Sequence, residues 1–133
     1  MTHFKLDRIP VKRRARINRR GRAYVDVKTQ ADLKAVREAY KGELYECPVK
    51  VAIIVYKPIP KSKPKKIEVM PFTQKPDIDN IAKAVLDGLN GVAYRDDSQV
   101  TELRVLKANR HRAGYEFCSV WVEPKETDGT NTD

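Results

Sequence analysis

The chain has 133 residues and carries 27 Lys and Arg against 18 Asp and Glu, a net charge of +9. Apolar residues at 41% and charged ones at 34% allow one compact core and exclude a wholly disordered chain, while the longest apolar run, Val51 to Tyr56, excludes a membrane span of about twenty residues. Two cysteines and two histidines, none at zinc-ligand spacing, argue against a disulfide scaffold and a structural zinc site.

In chain order, Phe4, Leu6 and Ile9 alternate toward Pro10 and predict a first strand over residues 2–9. No apolar signal segment precedes the arginines that follow, so a cytoplasmic location is expected. Residues 1–22 hold nine basic side chains against Asp7 alone, and the segment 12–20, with Arg13, Arg14, Arg16, Arg19 and Arg20, reads as a loop. Ala23 to Val27 is a short β-branched and aromatic run that could return as a hairpin partner across Gly21. From Thr29, the residues Ala31, Leu33, Ala35, Val36, Ala39 and Tyr40 recur at helical spacing. Thr29 is the predicted cap with Asp32 three residues on, and Gly42 marks the stop. Pro48 to Tyr56 is rich in β-branched residues and apolar on both faces at its end, as expected of a central strand.

Lys57, Lys61, Lys63, Lys65, Lys66 and Lys75 are spaced by Pro58, Pro60 and Pro64, which predicts an extended, solvated loop over 57–75. A helix then runs from Asp77 to about Leu89, with Gly88, Asn90 and Gly91 as stop signals. After a polar connector from Tyr94 to Ser98, two strands, Val100 to Ala108 and Tyr115 to Glu123, are predicted to pair as a hairpin across the basic turn 109–114. Pro124 closes a domain expected to span 1–124, and 125–133 read as a flexible tail. The order predicts an α+β fold, a small mixed sheet with two main helices packed on one face.

The positive charge gathers on two segments predicted to be flexible. Neither has the apolar face of a membrane-surface helix, so nucleic acid rather than a membrane is the favoured partner. On the helix after Pro76, Ile78, Ile81, Ala82, Val85, Leu86 and Leu89 fall within an arc of about 140°, a core face. Asp79, Asn80, Lys83, Asp87 and Asn90 fall on the other side, within about 100°. Asp77 stands at the N-terminal end, and Asp96 and Asp97 follow the helix on the connector.

Each acid has a plain structural reading. Asp77 and Asp79 suit a helix N-terminus, Asp79, Lys83 and Asp87 form i,i+4 pairs, and Asp96-Asp97-Ser98 suits a turn. Against these stands a coincidence: residues 77–97 hold five aspartates against Lys83 and Arg95, inside a chain of net charge +9. Acids gathered where the partner is itself an anion repel it unless a divalent cation such as Mg²⁺ lies between them.

The segment from Asp77 to Lys83, with Asp87 and the later Asp96-Asp97-x-Gln99-Val100, resembles the signature of the RusA-type Holliday junction resolvases, a family encoded largely by phages and prophages. The resemblance extends more loosely over residues 45–122. It implies a homodimeric endonuclease of DNA recombination and repair that cuts four-way junctions by paired symmetric nicks, dependent on Mg²⁺ with Mn²⁺ as a possible substitute and needing no small-molecule cofactor. Carried over by residue, the essential aspartates are Asp77, Asp79 and Asp97, as metal ligands, and the essential lysine is Lys83. Arg13, Arg14, Arg16, Arg19 and Arg20, with Lys61, Lys63, Lys65 and Lys66, would hold DNA phosphates. The chain departs from the family at Ile9-Pro10-Val11-Lys12, where a Pro-Pro-Ser-x-Asn motif is common, and the loop 57–75 looks like a local elaboration.

Two alternatives remain from the residues. One is a non-catalytic basic module in which the aspartates are caps and turns. The other is a nuclease of the Pro-Asp…Glu-x-Lys type, for which Pro76-Asp77 and Glu102-Leu103-Arg104 make a near match with Arg in the Lys position.

Overall fold

The structure is a computed structural model that describes residues 1–125, so residues 126–133 of the predicted tail lie outside the described residues. Its elements are β1 (Thr2–Leu6), β2 (Arg16–Ile17), β3 (Ala23–Tyr24), α1 (Val27–Ala39), β4 (Val49–Tyr56), β5 (Val69–Met70), α2 (Ile78–Leu89), a 3-10 turn (Asp97–Gln99), β6 (Val100–Lys107), β7 (Arg110–His111) and β8 (Phe117–Pro124). The main sheet has the strand order β1-β8-β4-β6. Both helices contribute to one core with the inward face of that sheet, so the predicted α+β architecture forms.

Strand β4 is central because its inward residues Val49, Val51, Ile53 and Val55 are fully buried while Ile54 is half-buried on the other face. It is antiparallel to β8, with Ile53 opposite Val120, and parallel to β6, with Ile53 opposite Val105. A parallel pair needs a crossover, and the chain between β4 and β6 supplies it through α2. The predicted hairpin of the last two long strands therefore does not form. β4 lies between them, and the turn 109–114 instead contributes β7, which pairs with β5. Lys125, one residue past Pro124, donates its backbone N–H to the Pro48 carbonyl at 2.8 Å.

Helix α1 starts two residues before the predicted cap. Asp26 is the N-cap, its Oδ1 accepting from Lys28 and Thr29 backbone N–H groups at 2.9 and 3.2 Å, which leaves the buried Thr29 and Asp32 to serve the N-terminal segment. α2 buries Ile81, Val85 and Leu89 as expected, but Ile78 is 46% exposed. Gly88 lies inside α2 against α1, not at a stop.

The two basic segments are fastened to the body. In the first, the short hairpin β2–β3 forms across Gly21, whose φ of +78° suits glycine. In the second, Arg110, only 3% exposed, donates to the carbonyls of Lys57 and Pro58 and to Gln74 Oε1. Arg112 donates to the carbonyls of Pro60, Lys63, Pro64 and Ile67. The prolines do block regular structure there, yet two arginines satisfy the carbonyls they leave free.

Candidate active site

The approach to α2 is set from behind. Lys107 Nζ, at the end of β6 and 4.4 Å from the centre of the Phe72 ring, donates to the carbonyls of Gln74 and Pro76 at 2.7 and 2.9 Å. The chain then passes a cis Lys75–Pro76 peptide into Asp77. Asp77 has N-cap backbone geometry, and its carbonyl accepts from Asn80 and Ile81, but its carboxylate makes no capping hydrogen bond. The capping role therefore does not use the side chain, which stays exposed together with those of Asp79 and Lys83. Neither i,i+4 pair through Lys83 closes to an ion pair among the described residues. Asp87 pairs instead with Lys12, at 2.5 Å.

The connector to β6 is held by Gln99, to which sequence reasoning assigned no role. Its Oε1 accepts from the Arg95 and Asp96 backbone N–H groups at 2.8 and 3.3 Å, and its Nε2 donates to the carbonyls of Tyr45 and Cys47 at 2.9 and 3.0 Å. Asp96 accepts from Ser98 N–H at 3.0 Å as part of a capping box with Gln99, and hydrogen bonds from Ser98, its side chain first and its backbone second, hold the Asp96 carboxyl below the ordinary range. Asp97 is left exposed at the first position of the 3-10 turn. Beside them the fully buried Tyr94 donates its hydroxyl to the Leu86 carbonyl at 2.8 Å. Burial, reinforced by the negative charges of Asp97, Asp87 and Asp96, raises the tyrosine pKa well above normal.

These contacts place the acids at two ends of one helix. β6 runs back along α2, its last residue touching Pro76 and its first following the turn beside Leu86. Seven helical residues separate Asp79 from Leu86, about 10 Å of rise. Asp77 and Asp79 therefore lie together while Asp97 gathers with Asp87 and Asp96, and no three Asp, Glu, His or Cys side chains stand close enough to hold a metal ion among the described residues. Within one chain β6 runs its full length between the connector and the start of α2, so Asp97 stands apart from Asp77.

The basic residues divide similarly. Arg13 donates to Asp32 Oδ2 at 3.0 Å and Arg16 to Asp26 Oδ2 at 2.7 Å, so both are committed to buried carboxylates. Arg14, Arg19 and Arg20, like Lys61, Lys63, Lys65 and Lys66, are exposed and form no ion pair among the described residues. Between the N-terminal segment and the start of α2 is a groove of about 780 Å³ lined by Lys12, Arg13, Arg14, Lys75, Asp77 and Lys83, with Asn80 at its floor. Glu102 lies elsewhere. It faces away from α2, paired across the sheet with Lys50 at 3.1 Å, and this contact holds its carboxyl low. A Pro-Asp…Glu-x-Lys site is thereby ruled out, since its acids would stand on opposite faces of the sheet.

A family model described as "Endodeoxyribonuclease RusA" matches residues 8–116. The chain belongs to the RusA endodeoxyribonuclease family. That match contains every residue that lines the groove, from Val11 to Lys83, and it makes the chain a member of a family of DNA-cutting enzymes. Over 68 residues the chain is also 46% identical to the uncharacterized protein YqaN of Bacillus subtilis (strain 168), an alignment covering 45% of this chain and 48% of that protein. The chain thus matches about half the length of this relative. Among the described residues no helix is long and apolar enough to cross a membrane.

Proposed function

We propose that this RusA-family chain is a Mg²⁺-dependent, structure-specific endonuclease that resolves four-way DNA junctions by paired symmetric nicks, with residues 1–124 acting as one domain in the cytoplasm. The observation that supports it most is the exposed stripe of Asp77, Asp79 and Lys83 at the start of α2, of which Asp77 and Lys83 line a groove together with the cations Lys12, Arg13, Arg14 and Lys75. Two carboxylates without an ion-pair partner among the described residues, next to a place where phosphates would lie, suit Mg²⁺, which takes one or two carboxylates together with waters and substrate oxygens. Asp77 and Asp79 would hold the ion; when bound it polarises the scissile phosphate and lowers the pKa of an attacking water, with Mn²⁺ able to serve similarly. Lys83, one turn from Asp79, steadies the charge that develops on the phosphoryl oxygens. The products carry 3′-hydroxyl and 5′-phosphate ends. Arg14, Arg19, Arg20 and the four lysines of the 57–75 lobe hold the phosphates of the arms, with Arg13 and Arg16 shaping the segment that presents them.

A homodimer completes the reading. A four-way junction has approximate two-fold symmetry and two strands to cut, so it calls for two sites related by a two-fold axis. An apolar strip of the exposed Ile78 and Leu103, the half-buried Leu86 and Val105 and the buried Ala82 runs along α2 and the edge strand β6, flanked by Asp79 and Lys83. Burying this strip between two copies places both active sites at the interface, where Asp97 enters the donor set that one chain leaves at two.

The test is a synthetic four-way junction and a linear duplex of the same sequence, each incubated with the protein with and without Mg²⁺, with nicks mapped on all strands. Symmetric, Mg²⁺-dependent nicks confined to the junction are expected. Junction binding without nicking under any divalent metal would favour the non-catalytic basic module instead.

A further inference from the structure

We infer that the groove between the N-terminal segment and the Lys75-Pro76-Asp77 turn is the path of the DNA strand being cut, and that Asp87 keeps the wall of this path in place through Lys12. The inference rests on the nuclease reading above and names the part of the substrate that its site receives. The wall is residues 11–14. Val11 N–H donates to Asp32 Oδ2 at 3.0 Å and Arg13 N–H to Thr29 Oγ1 at 2.9 Å, which fixes this segment to α1. On its other side Lys12 N–H donates to the Asn80 carbonyl at 3.0 Å, and two turns further along α2 its Nζ reaches Asp87 Oδ2 at 2.5 Å. Lys12 thus lies along the catalytic helix and ties the basic segment to it.

At about 780 Å³ the groove is the size of a small-molecule site, which admits a sugar-phosphate backbone and not a duplex. Three of its cations, Arg14, Lys75 and Lys83, make no ion pair among the described residues, and they line the groove together with Asp77. That is the charge pattern of a phosphate chain passing over an acid pair. Asp87 itself does not line the groove, and its charge has the sign of the substrate. If it acted only through its field, removing it would help DNA to bind. Acting through Lys12, its removal frees the wall and hinders binding.

This difference in sign is the test. Binding of a labelled four-way junction is measured in EDTA for Asp87→Asn, Lys12→Met, the double variant and Lys12→Arg. Each single variant should weaken binding about threefold, in keeping with a partly exposed ion pair. The double should be no weaker than either single, because both remove one contact, and Lys12→Arg should bind like the parent. Arg14→Gln and Lys75→Gln should each weaken binding as well. In nicking assays the Mg²⁺ concentration for half-maximal rate should be unchanged in Asp87→Asn. Tighter or unaltered binding by Asp87→Asn, additive losses in the double, a shifted Mg²⁺ requirement, or indifference to both Arg14→Gln and Lys75→Gln would each overturn the inference. A parent protein that never nicks would sink the nuclease reading while the binding series still decides the groove.

Discussion

Arg13 donates to Asp32 at 3.0 Å while Arg8 bonds the other oxygen of the same carboxylate, and Asp32 is only 4% exposed. One buried acid thus neutralises two arginines of the basic segment and also accepts from Val11 N–H. Asp32→Asn would leave two guanidinium groups without a counter-charge. Both arginines keep about a third or more of their side-chain surface in water, which softens a loss that for fully buried pairs reaches several kcal/mol. A destabilisation of about 2 kcal/mol is expected in urea unfolding, together with faster tryptic cleavage in residues 8–16 and weaker junction binding.

The response to acid follows from carboxylates held low by cations. Arg16, hydrogen-bonded to Asp26, lowers the Asp26 pKa; Arg95 does the same for Glu46, and Lys50 for Glu102. In each the folded-state value lies below the unfolded one, so the stabilisation is complete above the unfolded value, about 4, and disappears as pH falls through the folded value. The urea midpoint should therefore owe no pH dependence to these groups between pH 7 and 5 and fall below about pH 4. Asp26→Asn should flatten that fall.

The helices, the central strand and the acidic stripe of α2 were legible in the sequence because each is written in local periodicity. What it could not show was pairing at long range. The last two long strands looked like a hairpin because they are neighbours in sequence, and nothing local reveals that β4 inserts between them. Likewise Asp32 read only as an acid three residues after the predicted Thr29 cap, since its partners Arg8 and Arg13 lie some 20 residues away. Nor does anything local reveal where Asp97 stands relative to Asp77, which is set by the antiparallel run of β6 against α2. Arg112 was hidden differently, because a basic turn gives no sign that its charge is spent on the carbonyls of a proline-rich loop.

Gln99 bridges the Asp96-Asp97 connector and the chain before β4 with four hydrogen bonds from one side chain. Gln99→Ala would strip the carbonyls of Tyr45 and Cys47 of a donor, at about 1–2 kcal/mol of stability. Nicking should fall further than that loss of folded protein explains, because Asp97 would no longer be held. Comparing activity at a temperature where parent and variant are both fully folded separates the two effects.

Asp79 and Lys83 share a stripe but differ in expected effect. Asp79→Asn removes a metal-ligand candidate and a negative charge facing DNA, so nicking should be abolished while junction binding is kept or improved. Lys83→Met should slow single-turnover nicking by about a hundredfold or more and weaken binding slightly. Equal loss of binding and cleavage in both variants would show that the stripe serves only to hold DNA.

Gly88 tests how closely α2 must approach α1. A Cβ there would stand 2.6 Å from Val36 Cβ, 2.8 Å from Val36 Cγ1 and 3.1 Å from the Leu33 carbonyl oxygen. Two of these three atoms sit on or next to the backbone of α1, so a rotamer change cannot relieve the clash and the helices must move apart. Alanine gains about 1 kcal/mol in helix propensity over glycine, while overpacking a filled core costs about 1–3 kcal/mol and more where backbone must shift. Gly88→Ala should therefore be destabilising by about 1–2 kcal/mol in urea unfolding. Since α2 also carries Asp79, Lys83 and the Asp87 anchor for Lys12, the displacement should lower nicking even in fully folded protein. A variant as stable and active as the parent would show that the α1–α2 contact is looser than this packing implies.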